Sequence, residues 1–539
     1  MTDAELLRAA HEYENALRDN DLAALDTWFA DGLATVRAEG GTALVGHGEI
    51  SDYRARRGGA PVRHLRRVHV REPAPGHAVT VSETERVDGG SGLQTQVWER
   101  RGEGWRIIAA HVSGAPAAPV PTVAPGPDRA TWRERGPDGG ALVRGSGHGE
   151  LAGVRVAVKD LVDLTGHRVG AGVPAHLERA VPATRTAPAL RALLDAGADV
   201  TGIAQTDEFA FSLMGTNAHY GTPANVAAPG RTTGGSTSGP AAAVAVGAAD
   251  LGIGTDTAGS LRVPGSFCGL YAWRPTHGAV DVEGVLPLAP SFDTVGLLAA
   301  EPAVLLRAGR ILLGVPGTVE RPRALLRSAT LSGLAEPATA VAVDAALTAL
   351  AVQTGLPLLD VVDLPGGEFG TEEVQAWTAA FRTVQAAEAW AAHGRFVEEN
   401  PGAVSPAVEA RFRTGAGTDP VDVDLARETL RRSASRLAAL LAHGWLTLPS
   451  TAGPAPLLDA SPAQWEAARA STLPLTSLAS GAGVPVLGLP WGRVGELPVG
   501  LSVLAPAGAD AGLLDLLTRV APEGRRHRAT EERPGQSAT

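Results

Sequence analysis

Lysine is almost missing from this sequence. Its 539 residues contain 47 lysines and arginines together, and one of them, Lys159, is lysine. Cysteine is equally scarce, and the single Cys268 excludes an intramolecular disulfide. Aromatic residues make up 4% of the chain, so small residues, among them 66 glycines, must close much of the core. A formal charge of −11 leaves no broad basic face for phosphate neutralisation, which argues against a nucleic-acid partner. The opening MTDAELLRAAHEYENAL is charged and carries no apolar signal core. The run PAAAVAVGAA ends at Asp250 and is too short to span a bilayer. These absences point to a cytoplasmic protein with no membrane partner. What is present, 44% hydrophobic and 19% charged residues, is the composition of a globular chain long enough for two or more domains.

The Pro/Ala-rich stretch at 115–130 lacks any hydrophobic period and reads as an extended linker. It separates a small domain, 1–114, from a large one, 131–521, and the polar tail 522–539 reads as disordered. In the small domain Leu6, Leu7, Ala10, Tyr13 and Leu17 recur at helical steps, and Asp21 is placed to cap a second helix. Strand-like runs follow: ATVRA, HAVTVSETER, LQTQVWERR and WRIIAAHVSG. This order, with the ending QTQVWERRGEGWRIIAAHVS, resembles the NTF2-like (SnoaL-like) fold, and within it the AtzH-like domains associated with s-triazine and urea-derivative breakdown. The resemblance implies an α+β cone around a pocket, into which Arg37, Trp98 and His111 could point to bind an anion. The plainer reading makes Trp98 core and the polar pair surface or dimer contacts, with the domain serving assembly as a homodimer device.

The large domain alternates apolar strand-like runs (VRVAVKD, ADVTGIAQT, LGIGTD, VPVLGLP, VGLSVLAP) with helical ones (TAPALRALLDAGA, DLARETLRRSASRLAALLAHG). That alternation predicts an α/β fold with a mixed central sheet covered by helices. Two loops in it are rich in Gly, Ser and Thr. In TTGGSTSGPAAAVAVG, Ser238 has the position of a helix cap, with Pro240 in the first turn. In GTDTAGSLRVPGSFCG, small residues precede Ser260, so that consecutive N–H groups can converge on one point, as an oxyanion hole requires. No Gly-Lys-Ser/Thr follows either loop, which excludes a phosphate loop.

A serine nucleophile needs a base. The sequence has no GxSxG elbow with a central serine and no His-Glu-x-x-His pair, so an α/β-hydrolase triad and a metal hydrolase are both disfavoured. Arginine, with a pKa above about 12, cannot serve as a base, whereas burial can lower a lysine toward neutrality. This gives Lys159 a reason to persist where every other cation became arginine.

Together VAVKD, GGSTSG and GTDTAGSLRVPGSFCGLYAWRPTHG resemble the amidase signature family, with further matches in TDEFAFSLMGTNAHYGTPANV and PSFDTVG. The resemblance implies a catalytic set of Ser260 as nucleophile, Ser236 as bridging serine after a cis peptide at Gly235, and Lys159 as terminal base and acid. It implies an oxyanion hole from the backbone N–H groups of Thr257, Ala258, Gly259 and Ser260, and an Asp256–Arg262 pair bracing the loop. Residues 210–216, with Ala210 and Met214, and Gly235 are the implied substrate-binding positions. No metal or organic cofactor is implied. Two departures stand out: Ala258 replaces a usual glycine, and Thr237 a usual serine.

The implied activity is hydrolysis of a small-molecule amide through an acyl-enzyme. A urea derivative, biuret-like or carboxylated, is suggested by the small domain. An aryl or indole acetamide, suggested by NAHYGTP and FRTVQAAEAWAAHG, is the alternative substrate. A non-catalytic amidase-like scaffold is a third reading, although Lys159, Ser236 and Ser260 are all retained; an amidotransferase subunit fits the N-terminal fusion poorly.

Overall fold

The computed structural model describes residues 2–18, 21–39, 42–57, 63–86, 91–102, 104–114, 128–314 and 321–520. Most of the expected linker and all of the tail lie outside these residues. Residues 128–130 belong instead to a turn closed on Asp128, whose Oδ1 accepts the N–H groups of Ala130 and Thr131, both at 3.2 Å. The chain divides into two compact units, 1–125 and 126–539.

The small unit has helices over Thr2–Arg18, Leu22–Trp28 and His47–Arg57. Asp21 caps the second of these by accepting from Ala24 N at 3.0 Å. Its strands among the described residues are β1 (Val36–Glu39), β2 (Thr42–Val45), β3 (Arg63–Ala74), β4 (His77–Arg86), β5 (Ser91–Arg101) and β6 (Gly104–Gly114). They form one sheet in the order β2-β1-β6-β5-β4-β3, antiparallel except for the parallel β1–β6 pair. Tyr13, Phe29, Trp98 and Ile107 form its core.

Among its described residues the large unit holds an eleven-stranded mixed sheet. Its strands are β7 (Trp132–Arg135), β8 (Arg155–Lys159), β9 (Asp199–Ala204), β10 (Leu251–Thr255), β11 (Tyr271–Arg274), β12 (Val295–Ala299), β13 (Leu325–Arg327), β14 (Leu358–Asp360), β15 (Trp445–Pro449), β16 (Val486–Val494) and β17 (Leu497–Leu504). The order is β14-β13-β15-β17-β16-β11-β12-β10-β8-β9-β7. The continuous apolar runs VRVAV and LGIGT explain why β8 and β10 lie side by side and parallel near one end, since strands covered on both faces lose the polar alternation. Parallel neighbours finish at the same edge, so the loops after β8 and β10 emerge together.

Long helices over Thr371–Glu399, Pro420–Leu441 and Pro462–Ala482 bury Phe381, Leu437 and Leu478 in a second core beside the sheet. One helix among the described residues, Pro337–Thr354, is long and apolar enough to cross a membrane. Its Val343, Leu347 and Leu350 pack instead into the core formed by β8, β10, β16 and β17.

Candidate active site

Lys159 ends β8 with its side chain fully buried. Its Nζ donates to Ser236 Oγ at 2.9 Å and to Thr255 Oγ1, at the end of β10, at 2.8 Å. Burial pulls its pKa down to about 7, against the opposing pull of Asp207, Asp256 and Asp293. An amine so placed is neutral in a substantial fraction near neutral pH, as proton transfer requires.

Ser236 precedes the helix Ser238–Ala245 and follows a cis peptide bond to Gly235. Its carbonyl accepts from Thr206 Oγ1 at 2.8 Å and from Asp207 N at 3.4 Å. Gly235, expected as a substrate contact, is buried against Asp207, where a β-carbon would stand 2.4 Å from Asp207 Oδ2. Ser238 is not a cap. Its hydroxyl donates to Asp207 Oδ1 at 3.2 Å, and Thr237 occupies the cap position. Burial pushes the Asp207 carboxyl up to about 6, although Gly215 N donates to it at 3.0 Å.

The Ser260 loop folds around Asp256. Its carboxylate receives Gly259 N at 2.8 Å, Leu261 N at 3.2 Å, and Arg262 Nε and Nη2 at 3.0 and 2.8 Å. Arg274 adds a second buried cation at 3.4 Å. These two guanidinium groups hold the buried carboxyl far below its ordinary value despite the cost of desolvation. Arg262 ties the loop onward by donating to Thr476 O and Ser480 Oγ. The expected ion pair thus braces the loop.

One assignment changes: the Gly259 amide is committed to Asp256 and is not available to an oxyanion. Among the described residues the amides of Thr257, Ala258 and Ser260 have no partner. Ala258 has no positive φ, so its methyl brings no backbone strain to the position usually held by glycine. Gly259, at φ +117°, cannot be replaced so easily. The Ser260 carbonyl accepts Thr237 N at 3.3 Å, which joins the two serine loops. The structure brings Lys159 and Ser236 into contact; the Ser260 hydroxyl makes no hydrogen bond to either among the described residues.

Ser260 opens into a cleft lined by Ala210, Phe211, Leu213, Leu288, Gln385 and Arg469, among others. Ala210 thus shares a cleft with Ser260. Met214 lines an adjoining, wider groove with Arg411 and Trp465. Sequence reasoning assigned no role to Thr255, Asp207, Asp293, Gln385 or Arg469. TDE at 206–208 was recognisable as part of a match, but nothing in it marks Asp207 as the residue beneath the serine loop.

In the small unit the three residues expected to form an anion pocket do not all face inward. Trp98 is fully buried and donates from Nε1 to Thr80 Oγ1 at 2.9 Å, as a core residue. Arg37 is buried and donates to the Tyr13 hydroxyl at 3.4 Å, where Arg54 also donates at 3.0 Å. His111 is exposed. A bulge explains this: Val97 pairs with Ala109 and Trp98 with Ile107, so the extra residue reverses which side chains face inward beyond it. Ala110, not His111, then shares the buried face.

Comparisons with known proteins agree with this layout. The amidase family profile matches residues 128–308, and the AtzH-like profile matches residues 2–117. Amidase 1 of Arabidopsis thaliana is 34% identical over 409 residues, covering 69% of this chain and 93% of that protein. The 1-carboxybiuret hydrolase subunit AtzE of Pseudomonas sp. (strain ADP) is 32% identical over 384 residues, covering 66% and 80%. A structure described as a vestigial protein complex that reveals the origins of an s-triazine catabolic enzyme superposes with a TM-score of 0.60 at 27% identity, over 69% of this chain and 86% of that one. By the extent of these matches the chain belongs to the amidase family, and it is a hydrolase of carbon–nitrogen bonds.

Proposed function

We propose that the chain hydrolyses a small-molecule amide through an acyl-enzyme on Ser260, with Ser236 and Lys159 as its proton relay. Neutral Lys159 takes a proton from Ser236 as Ser236 takes one from Ser260. Ser260 Oγ then adds to the amide carbonyl. The amides of Thr257, Ala258 and Ser260 receive the resulting oxyanion, where loss of one such donor typically costs about 3 kcal/mol of barrier. Collapse breaks the C–N bond, and the relay returns the proton to the leaving amine. Water entering by the same relay cleaves the ester and frees the acid. The scheme needs no metal or organic cofactor.

The observation that carries this reading is the buried Lys159 amine, pulled down to about 7 and 2.9 Å from Ser236 Oγ. Retention of all three residues weighs against a non-catalytic scaffold. A urea-type substrate, biuret-like or carboxylated, is favoured by the likeness to AtzE and the AtzH-like profile. The small unit would then act as an assembly or dimerisation element for a cytoplasmic enzyme. Phe211, Leu213 and Leu288 in the cleft favour an aryl or indole acetamide as the second reading.

The test is a fluorophosphonate label together with ammonia release from ureas, aliphatic amides and aryl acetamides. Label on Ser260 and loss of turnover in Ser260→Ala are expected. Full activity in Ser260→Ala across the panel would refute the assignment.

A further inference from the structure

Arg469 is the one charged side chain lining the cleft that holds Ser260, among the described residues. It is nine-tenths buried, on the helix Pro462–Ala482. Its Nε and Nη2 donate to the Glu466 carboxylate at 2.9 and 2.6 Å, while Nη1 has no partner among the described residues. Glu466 is shared. Arg411 Nη2 also donates to it at 3.3 Å, and Arg411 Nη1 is held by Phe211 O at 2.8 Å. Two guanidinium groups thus share one carboxylate, and no second carboxylate lies within ion-pair distance of either among the described residues.

A second polar group points to the same place. Gln385, on the helix Thr371–Glu399, is buried at 7% exposure, and its carboxamide has no hydrogen-bond partner among the described residues. Its carboxamide atoms open onto the cleft, where a ligand can bond them. The cleft at Ser260 is narrow, about 10 Å³, and Arg469 also lines the adjoining groove of about 760 Å³, so an open carboxamide and a guanidinium that shares its carboxylate stand together as donors for one compact anion where the two spaces meet. Guanidinium and carboxylate match in geometry as well as charge.

We propose that Arg469 and Gln385 receive the carboxylate of a substrate whose amide carbonyl sits at Ser260, so that the preferred substrates are small amides bearing an acid group. This rests on the acyl-enzyme reading above and narrows it. It disfavours neutral aryl acetamides and accommodates a carboxylated urea. Both residues are specificity-determining; neither takes part in bond making.

The experiment compares malonamate, succinamate and glutaramate with alkyl amides of equal length, by kcat/KM for ammonia release. The wild-type protein should favour at least one acid. Arg469→Met should lower the acid-to-neutral ratio by about 30-fold, chiefly through KM. If Arg469→Met does not fold, Gln385→Leu and Arg469→Lys provide the comparison, and each should lower the ratio by about fivefold or more. The same preference should appear as Kd by calorimetry on Ser260→Ala protein, where no turnover is needed. A folded Arg469→Met with an unmoved ratio, a wild type that prefers the neutral amides, or no acid binding to Ser260→Ala overturns the proposal. Turnover surviving in Ser260→Ala would instead strike the nucleophile assignment, so the two failures are told apart.

Discussion

Lys159 and Thr255 end two neighbouring parallel strands with amine and hydroxyl 2.8 Å apart. The threonine gives the amine a second acceptor, fixing its direction toward Ser236. Replacing Thr255 with valine keeps the shape and removes the acceptor. We expect kcat to fall by about tenfold, with Thr255→Ser restoring it; equal activity in Thr255→Val would show that the hydroxyl is not a positioning group.

The pH profile follows from the same amine. The base must be neutral, so kcat/KM should rise with pH, reach half its limit near the lysine's value of about 7, and then level off. Stability has its own sign. The folded-state pKa lies below the unfolded one, so between about 7 and about 10.5 the unfolded chain binds the extra proton, and folding gains stability as pH rises through that window. Thermal melts of Lys159→Met and wild type should therefore shift in the wild type's favour from pH 7 to pH 10; a difference independent of pH would contradict a desolvated amine.

Asp256 neutralises two buried arginines and accepts the backbone N–H groups of Gly259, Leu261 and Arg262. Asp256→Asn leaves both cations without a counter-ion, a change that typically costs about 3–5 kcal/mol. We expect a large drop in denaturation midpoint together with lost activity. A stable but inactive Asp256→Asn would mean that the carboxylate acts in chemistry and not in bracing.

Gly259 and Ala258 should respond in opposite ways. A β-carbon at Gly259 would lie 2.8 Å from Thr476 Cγ2 at a φ that side chains avoid, so Gly259→Ala should reduce kcat by about a hundredfold or more. Ala258→Gly should change it by less than about threefold, since the native φ is an ordinary one. Steady-state kinetics on both variants decide the point.

Every residue invoked in the relay and the cleft comes from 128–520. Removing residues 1–127 should therefore leave kcat on a small amide within about threefold, while the size in solution changes if the small unit drives assembly. Gel filtration and ammonia release on the truncated protein check both.

Much of the candidate site could be read from the chain because composition singled it out. Lys159 was conspicuous as the last lysine, and the loops holding Ser236 and Ser260 were conspicuous for their small residues. Thr255 was hidden because its hydroxyl acquires a role only once β10 pairs with β8. Gln385 and Arg469 lie on helices far apart in sequence, and nothing local predicts that packing brings both to one cleft. The Gly259 amide and His111 were misassigned for a related reason. A loop that folds back on Asp256 and a single bulged residue each redirect a group whose spacing alone suggests otherwise. The β3 strand went unread because RHLRRVHVREPA carries too many charges to resemble a strand with a buried face.

Having one lysine also makes the protein its own probe. A sample labelled with 15N only at lysine would yield a single side-chain resonance, so the protonation of the relay could be followed directly by NMR in the intact molecule. Amine-acylating reagents, shut out while Lys159 is enclosed, would mark it only on opening of the surrounding sheet, turning mass addition at one position into a clock for local unfolding.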